Sequence, residues 1–272
     1  MKKRKRVRYY FDEKNDDFRK NKTKLKLTID GDYKYIPKNP LFKVFSFGLY
    51  YFIALPILFV LSFTVYGARV KGRKNLKKVK KDGYCIYCNH TNYTDAWLGA
   101  VLVARPKLTY VISSKYAVQI PFVRVLTKAL GCLPIGDTVS SIKSLNESVG
   151  NLLNKKKAVM IFPEAHIWDF YTGVRPFPIT SFKFPASSHK PIVPVAVTYR
   201  QPKIFFKNTR KPKMIVNIGE PIMYDENLTE KQNALYFRDA TMEFIREKTG
   251  SPDNYEYIQY IKVEEREQSD AV

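Results

Sequence analysis

Cysteine and histidine are scarce in this sequence, whose 272 residues include three of each. The odd number of cysteines, at Cys85, Cys88 and Cys132, does not indicate a disulfide framework and favours a reducing compartment. Cys85 and Cys88 lie three positions apart, so they face opposite sides of the strand that the sequence predicts there. Because no second pair of metal ligands follows elsewhere, we predict neither a metal site nor redox chemistry.

Acidic residues are also few in most of the chain. Lys and Arg total 47 against 25 Asp and Glu, which gives a net charge of +22. Residues 1–219 hold 41 basic and 12 acidic residues, whereas residues 220–272 hold 6 and 13. A basic surface favours an anionic partner, and each Lys or Arg near an anionic membrane contributes about 1 kcal/mol. Because no nucleic-acid-binding signature accompanies the charge, we predict anionic membrane lipids as partners and no nucleic acid.

One long apolar run, residues 44–66, carries no charged residue over 23 positions. That length is enough to cross a hydrocarbon core about 30 Å thick. A cleavable signal peptide is not expected, because the run starts far along the chain and no small-residue cleavage site follows. Pro56 interrupts the run and basic residues flank both ends, which favours a re-entrant hairpin over a single span. A core helix of a soluble domain is the third alternative.

A histidine and a carboxylate five positions apart follow residues 84–87, an apolar run typical of a buried strand. His90 can accept a proton near neutral pH, and Asp95 can fix its tautomer if a helix begins between them. The substrate would then bring the nucleophile, as when an alcohol attacks a thioester. In one alternative the pair only caps a helix. Two others are a thiol enzyme that pairs Cys88 with His90, and a non-enzymatic basic protein that binds the membrane.

Two further segments accompany the His90–Asp95 pair. Residues 159–164 read Val-Met-Ile-Phe-Pro-Glu, and residues 191–197 read Pro-Ile-Val-Pro-Val-Ala-Val. In this order the three elements resemble the glycerolipid acyltransferase family, which includes the 1-acylglycerol-3-phosphate acyltransferases. The resemblance implies that His90 is the general base and that Asp95 orients it. It also implies a lysophospholipid acceptor and an acyl-CoA, acyl carrier protein thioester or acyl phosphate as co-substrate, with no bound cofactor.

The resemblance has two departures, both at positions where the family usually carries a phosphate-binding arginine. Glu164 is followed by Ala165-His166-Ile167-Trp168 rather than by Gly-Thr-Arg-Ser, and Asp137 stands at the end of the second family block. Another lipid or a glycan hydroxyl therefore remains an alternative acceptor. The candidate substrate-binding residues are a basic position that matches the second block, the carboxylate and two replacement cations: Lys115, Glu164, Arg175 and Lys183.

Alternating strand and helix patterns predict an α/β fold, with a mixed, mostly parallel sheet sandwiched by helices and an N-terminal membrane-inserted helical segment. We divide the chain into a basic polar tail at 1–40, a membrane hairpin or span at 41–68, an acyltransferase domain at 69–250 and an acidic tail at 251–272. The aromatic loop at residues 166–178 is either a wall of the substrate channel or a plug. The basic charge favours the cytoplasmic face of the cell membrane.

Overall fold

The structure, a computed structural model of the chain, describes residues 6–19, 27–202 and 211–264. Its strands are β1 Arg6–Tyr10, β2 Arg69–Lys71, β3 Tyr84–Cys88, β4 Thr109–Ser113, β5 Cys132–Pro134, β6 Ala158–Ile161, β7 Ile192–Arg200, β8 Lys213–Ile218 and β9 Ile258–Lys262. Its α-helices are α1 Pro40–Gly48, α2 Leu55–Thr64, α3 Asp95–Leu98, α4 Pro121–Ala129, α5 Val139–Asn154, α6 Lys183–Ser187 and α7 Glu230–Thr249. Wider π-helical turns cover Leu49–Ala54 and Gly99–Val103, and 3-10 turns cover Arg73–Lys78, Lys115–Val118 and Ile179–Phe182.

Seven strands form the main sheet, in the order β2-β8-β7-β3-β6-β4-β5. Neighbouring strands are parallel except for β7 and β8, which are antiparallel. Tyr84, Ile86 and Cys88 of β3 join one apolar core, and Cys85 and Tyr87 join the other. Apolar layers therefore cover both faces of the sheet, which is why its central strands read as continuous apolar runs. The predicted mixed, mostly parallel α/β sandwich is confirmed.

Polar side chains fix the start of the two longest helices. Thr138 and Ser141 form a reciprocal capping box at the start of α5, and Thr229 and Gln232 do the same for α7. Each box satisfies backbone N–H groups that have no partner within the first turn of a helix. Both helices pack on the same face of the sheet, where Leu145 and Phe237 belong to one core.

The apolar run forms one continuous helical segment, Pro40–Thr64, with a mean hydropathy of 2.2. Only 6% of the residues in its most apolar stretch are buried. By length and composition it can cross a membrane. The predicted re-entrant hairpin at Pro56 is wrong, because the backbone is right-handed helical at Ala54 and Leu55. The N–H of Leu55 donates to the carbonyl of Tyr50, five residues back, and this π-helical widening accommodates the proline ring.

Strands β1 and β9 form a separate, parallel two-stranded sheet, with Arg6 opposite Ile258. The sequence predicted only a basic tail and an acidic tail in these two regions, so both strands are a correction to it. Their aromatic residues explain the pairing, because the rings of Tyr10 and Tyr260 lie 4.8 and 5.0 Å from that of Trp168. Aromatic contacts of this kind add about 0.5–1.5 kcal/mol each to the burial of the rings.

Candidate active site

The candidate site begins where β3 leaves the sheet. Asn89 is fully buried there and bonds to the neighbouring strand β7 with both ends of its amide. Its Nδ2 donates to the carbonyl of Val197 at 3.0 Å, and its Oδ1 accepts from the N–H of Val197 at 2.8 Å. This pair of bonds continues the strand pairing by one residue and fixes the direction in which His90 leaves the sheet.

His90 and Asp95 meet in the turn between β3 and α3. The Nδ1 atom of His90 lies 3.3 Å from Oδ2 of Asp95, whose side chain is fully buried. The same oxygen accepts the backbone N–H groups of Thr91 at 2.6 Å and Asn92 at 2.7 Å. Asp95 is the first residue of α3, so His90 lies before the helix and both groups can face one point. The Asp95 carboxylate therefore stabilises the turn and at the same time orients the imidazole of His90.

The imidazole is also held by an aromatic neighbour. The ring of His90 stacks on Phe162, which follows β6, with ring centres 4.1 Å apart and planes 17° apart. The side chain of His90 keeps 14% of its surface exposed, unlike the buried Asp95. With a proton on Nδ1 facing Asp95, the Nε2 atom is the nitrogen that can accept a proton from a substrate. The sequence analysis singled out residues 159–164 but not this stacking, because Phe162 and His90 follow two different strands, β6 and β3.

Glu164 braces the loop from the other side. Its Oε2 accepts the backbone N–H of His90 at 3.2 Å and a bond from Nη2 of Arg175 at 3.2 Å. Its Oε1 accepts the backbone N–H of Arg175 at 3.3 Å. Burial raises the pKa of the Glu164 carboxyl, whereas the Arg175 guanidinium beside it acts in the opposite direction. These contacts make Glu164 a brace of the loop at His90, and the predicted contact with substrate stays a prediction.

The predicted cations lie in different environments. The side chain of Arg175 is 1% exposed, and it bonds to Glu164 and to the carbonyl of His166. Lys115 follows β4 at the same edge of the sheet as His90 and forms an ion pair with Asp137. Lys183 is exposed at the start of α6. Among the described residues, the structure thus brings Glu164 and Arg175 to the His90–Asp95 turn and leaves Lys183 outside this network.

The aromatic loop packs into the protein beside His90. Trp168 is fully buried, and its backbone N–H donates to the carbonyl of His90 at 3.2 Å. Its indole Nε1 donates to the carbonyl of Asp16 at 2.9 Å. Asp169, the next residue, forms ion pairs with Arg8 and Arg19, and the guanidinium of Arg19 lies 3.6 Å from the ring centre of Tyr93. The N-terminal segment therefore covers the loop beside His90, a placement that no sequence signal indicated.

Cys88 is fully buried beside the site, and burial raises the pKa of its thiol well above the usual value. Asp95 and Glu164 act in the same direction, because a thiolate there would face two carboxylates. A thiol held in this state is a poor nucleophile. These conditions oppose the predicted alternative in which Cys88 attacks the acyl group with help from His90.

Acyl transfer is therefore expected to survive treatment of the folded protein with a thiol-alkylating reagent, with less than about a twofold change in rate. Cys132 is partly exposed, and a Cys132→Ala variant serves as the control for modification at that position. Rapid loss of activity that Cys132→Ala does not prevent would support the thiol mechanism instead.

Comparison with known proteins agrees with the motifs. A model of the family described as Acyltransferase matches residues 67–198, which include the His90–Asp95 turn, Glu164 and most of β7. The crystal structure of the 1-acyl-sn-glycerophosphate (LPA) acyltransferase PlsC from Thermotoga maritima has the same fold, with a TM-score of 0.54. The match covers 78% of this chain and 95% of that chain at 17% sequence identity. No curated protein matches the sequence. Residues 67–198 therefore form an acyltransferase domain, and the chain is an acyltransferase that shares its fold with a glycerolipid acyltransferase.

Proposed function

We propose that this protein is a membrane-associated O-acyltransferase that moves a fatty acyl group to the hydroxyl of a lysophospholipid, with 1-acyl-sn-glycerol-3-phosphate as the favoured acceptor. The observation that carries the proposal is the contact of 3.3 Å between His90 and the buried Asp95 within the matched acyltransferase region. The acceptor is supported by the structural similarity to the Thermotoga maritima protein, which is a 1-acyl-sn-glycerophosphate acyltransferase. The alternative is transfer to another lipid or a glycan hydroxyl.

The proposed chemistry needs one proton acceptor and an activated acyl donor. Nε2 of His90 takes the proton of the acceptor hydroxyl as its oxygen attacks the acyl carbonyl, and Asp95 stabilises the imidazolium that forms. The bond from the acyl carbon to the donor then breaks, and the thiolate or phosphate leaves. Acyl-CoA, acyl carrier protein thioester and acyl phosphate all provide such a leaving group. The amides of Thr91 and Asn92 are already bound to Asp95, so they are not the groups that stabilise the oxyanion.

Binding roles follow from exposure and charge. We assign Arg175 to positioning, because its guanidinium is buried against Glu164. Lys115 is the predicted cation at the same sheet edge as His90, two strands away and thus on the order of 10 Å along the edge. It is our candidate for binding the acceptor phosphate, which would replace Asp137 as the partner of its ammonium group. Lys183 remains a predicted contact farther along the chain.

Membrane association is supported by the apolar helical segment Pro40–Thr64. Leu41, Val44 and Phe52 in this segment keep more than two thirds of their surface exposed, at 78%, 72% and 74%. Such exposure costs free energy in water and is removed in lipid. Basic residues around the segment favour anionic lipids on the cytoplasmic face. We therefore propose that the acceptor reaches His90 from the bilayer.

The test is a product analysis with the purified full-length protein in lipid vesicles. We would supply a panel of lysolipids and glycans with labelled acyl-CoA, acyl carrier protein thioester and acyl phosphate, and identify products by mass. The expected product is a diacyl phospholipid from 1-acyl-sn-glycerol-3-phosphate. Acylation of a different hydroxyl would establish the alternative acceptor, and binding with no consumption of any donor would contradict the proposal.

Asp95→Asn tests the charge of the orienting residue. An amide oxygen in the position of Oδ2 can keep all three observed contacts, so the turn should persist while the imidazolium loses its counter-charge. We expect turnover to fall by about a hundredfold or more. The free energy of unfolding should fall by only about 1–3 kcal/mol, because the new amide N–H₂ is buried without a partner. Kinetics and thermal melting on the same preparation separate the two effects, and equal turnover in the variant would remove Asp95 from the mechanism.

A further inference from the structure

A strongly basic cavity lies away from the candidate active site. Its volume is ≈ 700 Å³, within the range of small-molecule pockets. Tyr84, Val103 and Ala104 are part of its apolar lining. Among the residues that the structure describes, no Asp or Glu lines it, whereas seven cationic side chains do: Arg73, Lys77, Lys80, Lys81, Arg105, Lys107 and Lys156.

This cavity lies at the ends where β3 and β6 begin, whereas His90 lies at the ends where the parallel strands finish. Tyr84 begins β3, and its register partner Ala158 begins β6, whereas His90 lies beyond the other end of β3. Six residues of extended chain separate Tyr84 from His90, which is about 20 Å at about 3.3 Å per residue. The cavity is thus separate from the proposed site of acyl transfer.

Several of its cations are held in place. Nη1 of Arg73 donates to the carbonyl of Leu102 at 3.1 Å, and Nη2 donates to the carbonyl of Arg105 at 3.3 Å. Nζ of Lys107 donates to the carbonyl of Asp82 and lies 5.0 Å from the ring centre of Tyr84. These contacts orient positive groups before any ligand arrives, so less conformational entropy is lost when an anion binds.

The positive charge is only partly compensated. Burial lowers the pKa of Arg73, and the nearby Arg105 guanidinium lowers it further. Burial likewise lowers the pKa of Lys107. The nearby Asp82 raises this pKa, whereas Lys157 and Lys156, in the turn before β6, lower it. Cations that repel one another across an apolar cavity are stabilised by a ligand that brings negative charge between them.

From these observations we propose that the cavity is a binding site for a phosphate group, distinct from the acceptor site. One source is an anionic phospholipid headgroup, because the guanidinium of Arg105 lies 4.3 Å from the ring centre of Phe59 on the exposed apolar helix α2. Cavity and membrane helix are therefore adjacent. The other source is a soluble phosphate compound, which offers the same chemistry without acyl chains.

The experiment measures binding by calorimetry with the full-length protein in a non-ionic detergent. One probe is dioctanoyl phosphatidylglycerol and the other is inorganic pyrophosphate. The test variant, Lys77→Gln/Lys156→Gln, removes two exposed cations that line the cavity. The control, Lys74→Gln/Lys155→Gln, removes two exposed cations from the same 3-10 turn and the same turn before β6. These do not line the cavity. Melting curves check that both variants fold.

We expect the test variant to bind at least one probe roughly tenfold more weakly than the wild type, while the control changes less than about twofold. A loss for phosphatidylglycerol alone identifies a lipid headgroup, a loss for pyrophosphate alone identifies a soluble phosphate, and a loss for both shows that the phosphate group is sufficient. Equal losses in test and control variants, or no measurable binding to the wild type, would overturn the proposal. Neither variant touches His90, so the outcome is independent of the proposed acyl transfer.

Discussion

His90→Ala is expected to lower the rate of acyl transfer by about 10²–10⁴-fold, the contribution typical of a positioned general base. The methyl group cannot accept a proton from the acceptor hydroxyl, and Asp95 then lacks the group that it orients. Initial rates at several acceptor concentrations would show a lower kcat with little change in KM, because the imidazole acts on the hydroxyl during reaction. Vesicle binding should be unchanged, since the apolar segment Pro40–Thr64 is untouched.

A matched control comes from another histidine of the chain. His189 is half exposed and lies 3.6 Å from the exposed Glu226 carboxylate, in the turn before β7. His189→Ala should retain activity within about twofold, because exposed substitutions rarely shift stability by more than about 0.5 kcal/mol. Equal rates in His90→Ala and wild type would show that the imidazole is not the base. The match of residues 67–198 to the acyltransferase model would stand, and the mechanism would need another proton acceptor.

Arg175→Met should lower the free energy of unfolding by about 3–5 kcal/mol, the usual cost of removing one partner from a buried ion pair. The carboxylate of Glu164 would stay buried with only backbone N–H donors, and the carbonyl of His166 would lose a charged donor. Urea unfolding followed by fluorescence measures this change. Because Glu164 also accepts the N–H of His90, we expect a loss of kcat that accompanies the loss of stability.

The double variant Glu164→Gln/Arg175→Met provides the decisive comparison. A neutral amide no longer needs the guanidinium, so the double variant should be more stable than Arg175→Met alone. Lys78→Met is the control, since its ion pair with Glu220 is exposed at both ends and is worth less than about 1 kcal/mol. If Arg175→Met were as stable as Lys78→Met, the buried pair would not brace the active-site loop.

The sequence predicted the centre of the molecule well, for a physical reason. Strand β3 is buried on both faces, so its residues read as an apolar run, and His90 had to follow its end. The five-residue spacing to Asp95 then required a turn followed by a helix start, and the structure has both. Here local pattern and global packing impose the same constraint, so a short stretch of sequence carries the information.

Other features depend on partners that are distant along the chain. Arg19 and Asp169 are 150 residues apart, and Trp168 bonds to a carbonyl 152 residues away. Such pairings leave no periodic signal in either segment. The hairpin prediction failed for a different reason, because it treated Pro56 as a hinge. A proline ring conflicts with the carbonyl four residues back only in a regular α-helix, and the π-helical turn before it removes that conflict.

The pairing of β1 with β9 determines when the protein can become complete during its synthesis. Arg8 and Tyr260 are bonded across 252 positions, so the first strand waits for its partner until nearly all of the described chain has been made. At about 5–20 residues per second, translation separates the apolar helix from β9 by roughly ten to forty seconds. Under the proposed membrane association, the apolar helix is therefore available to the bilayer before the N-terminal segment closes over the loop beside His90.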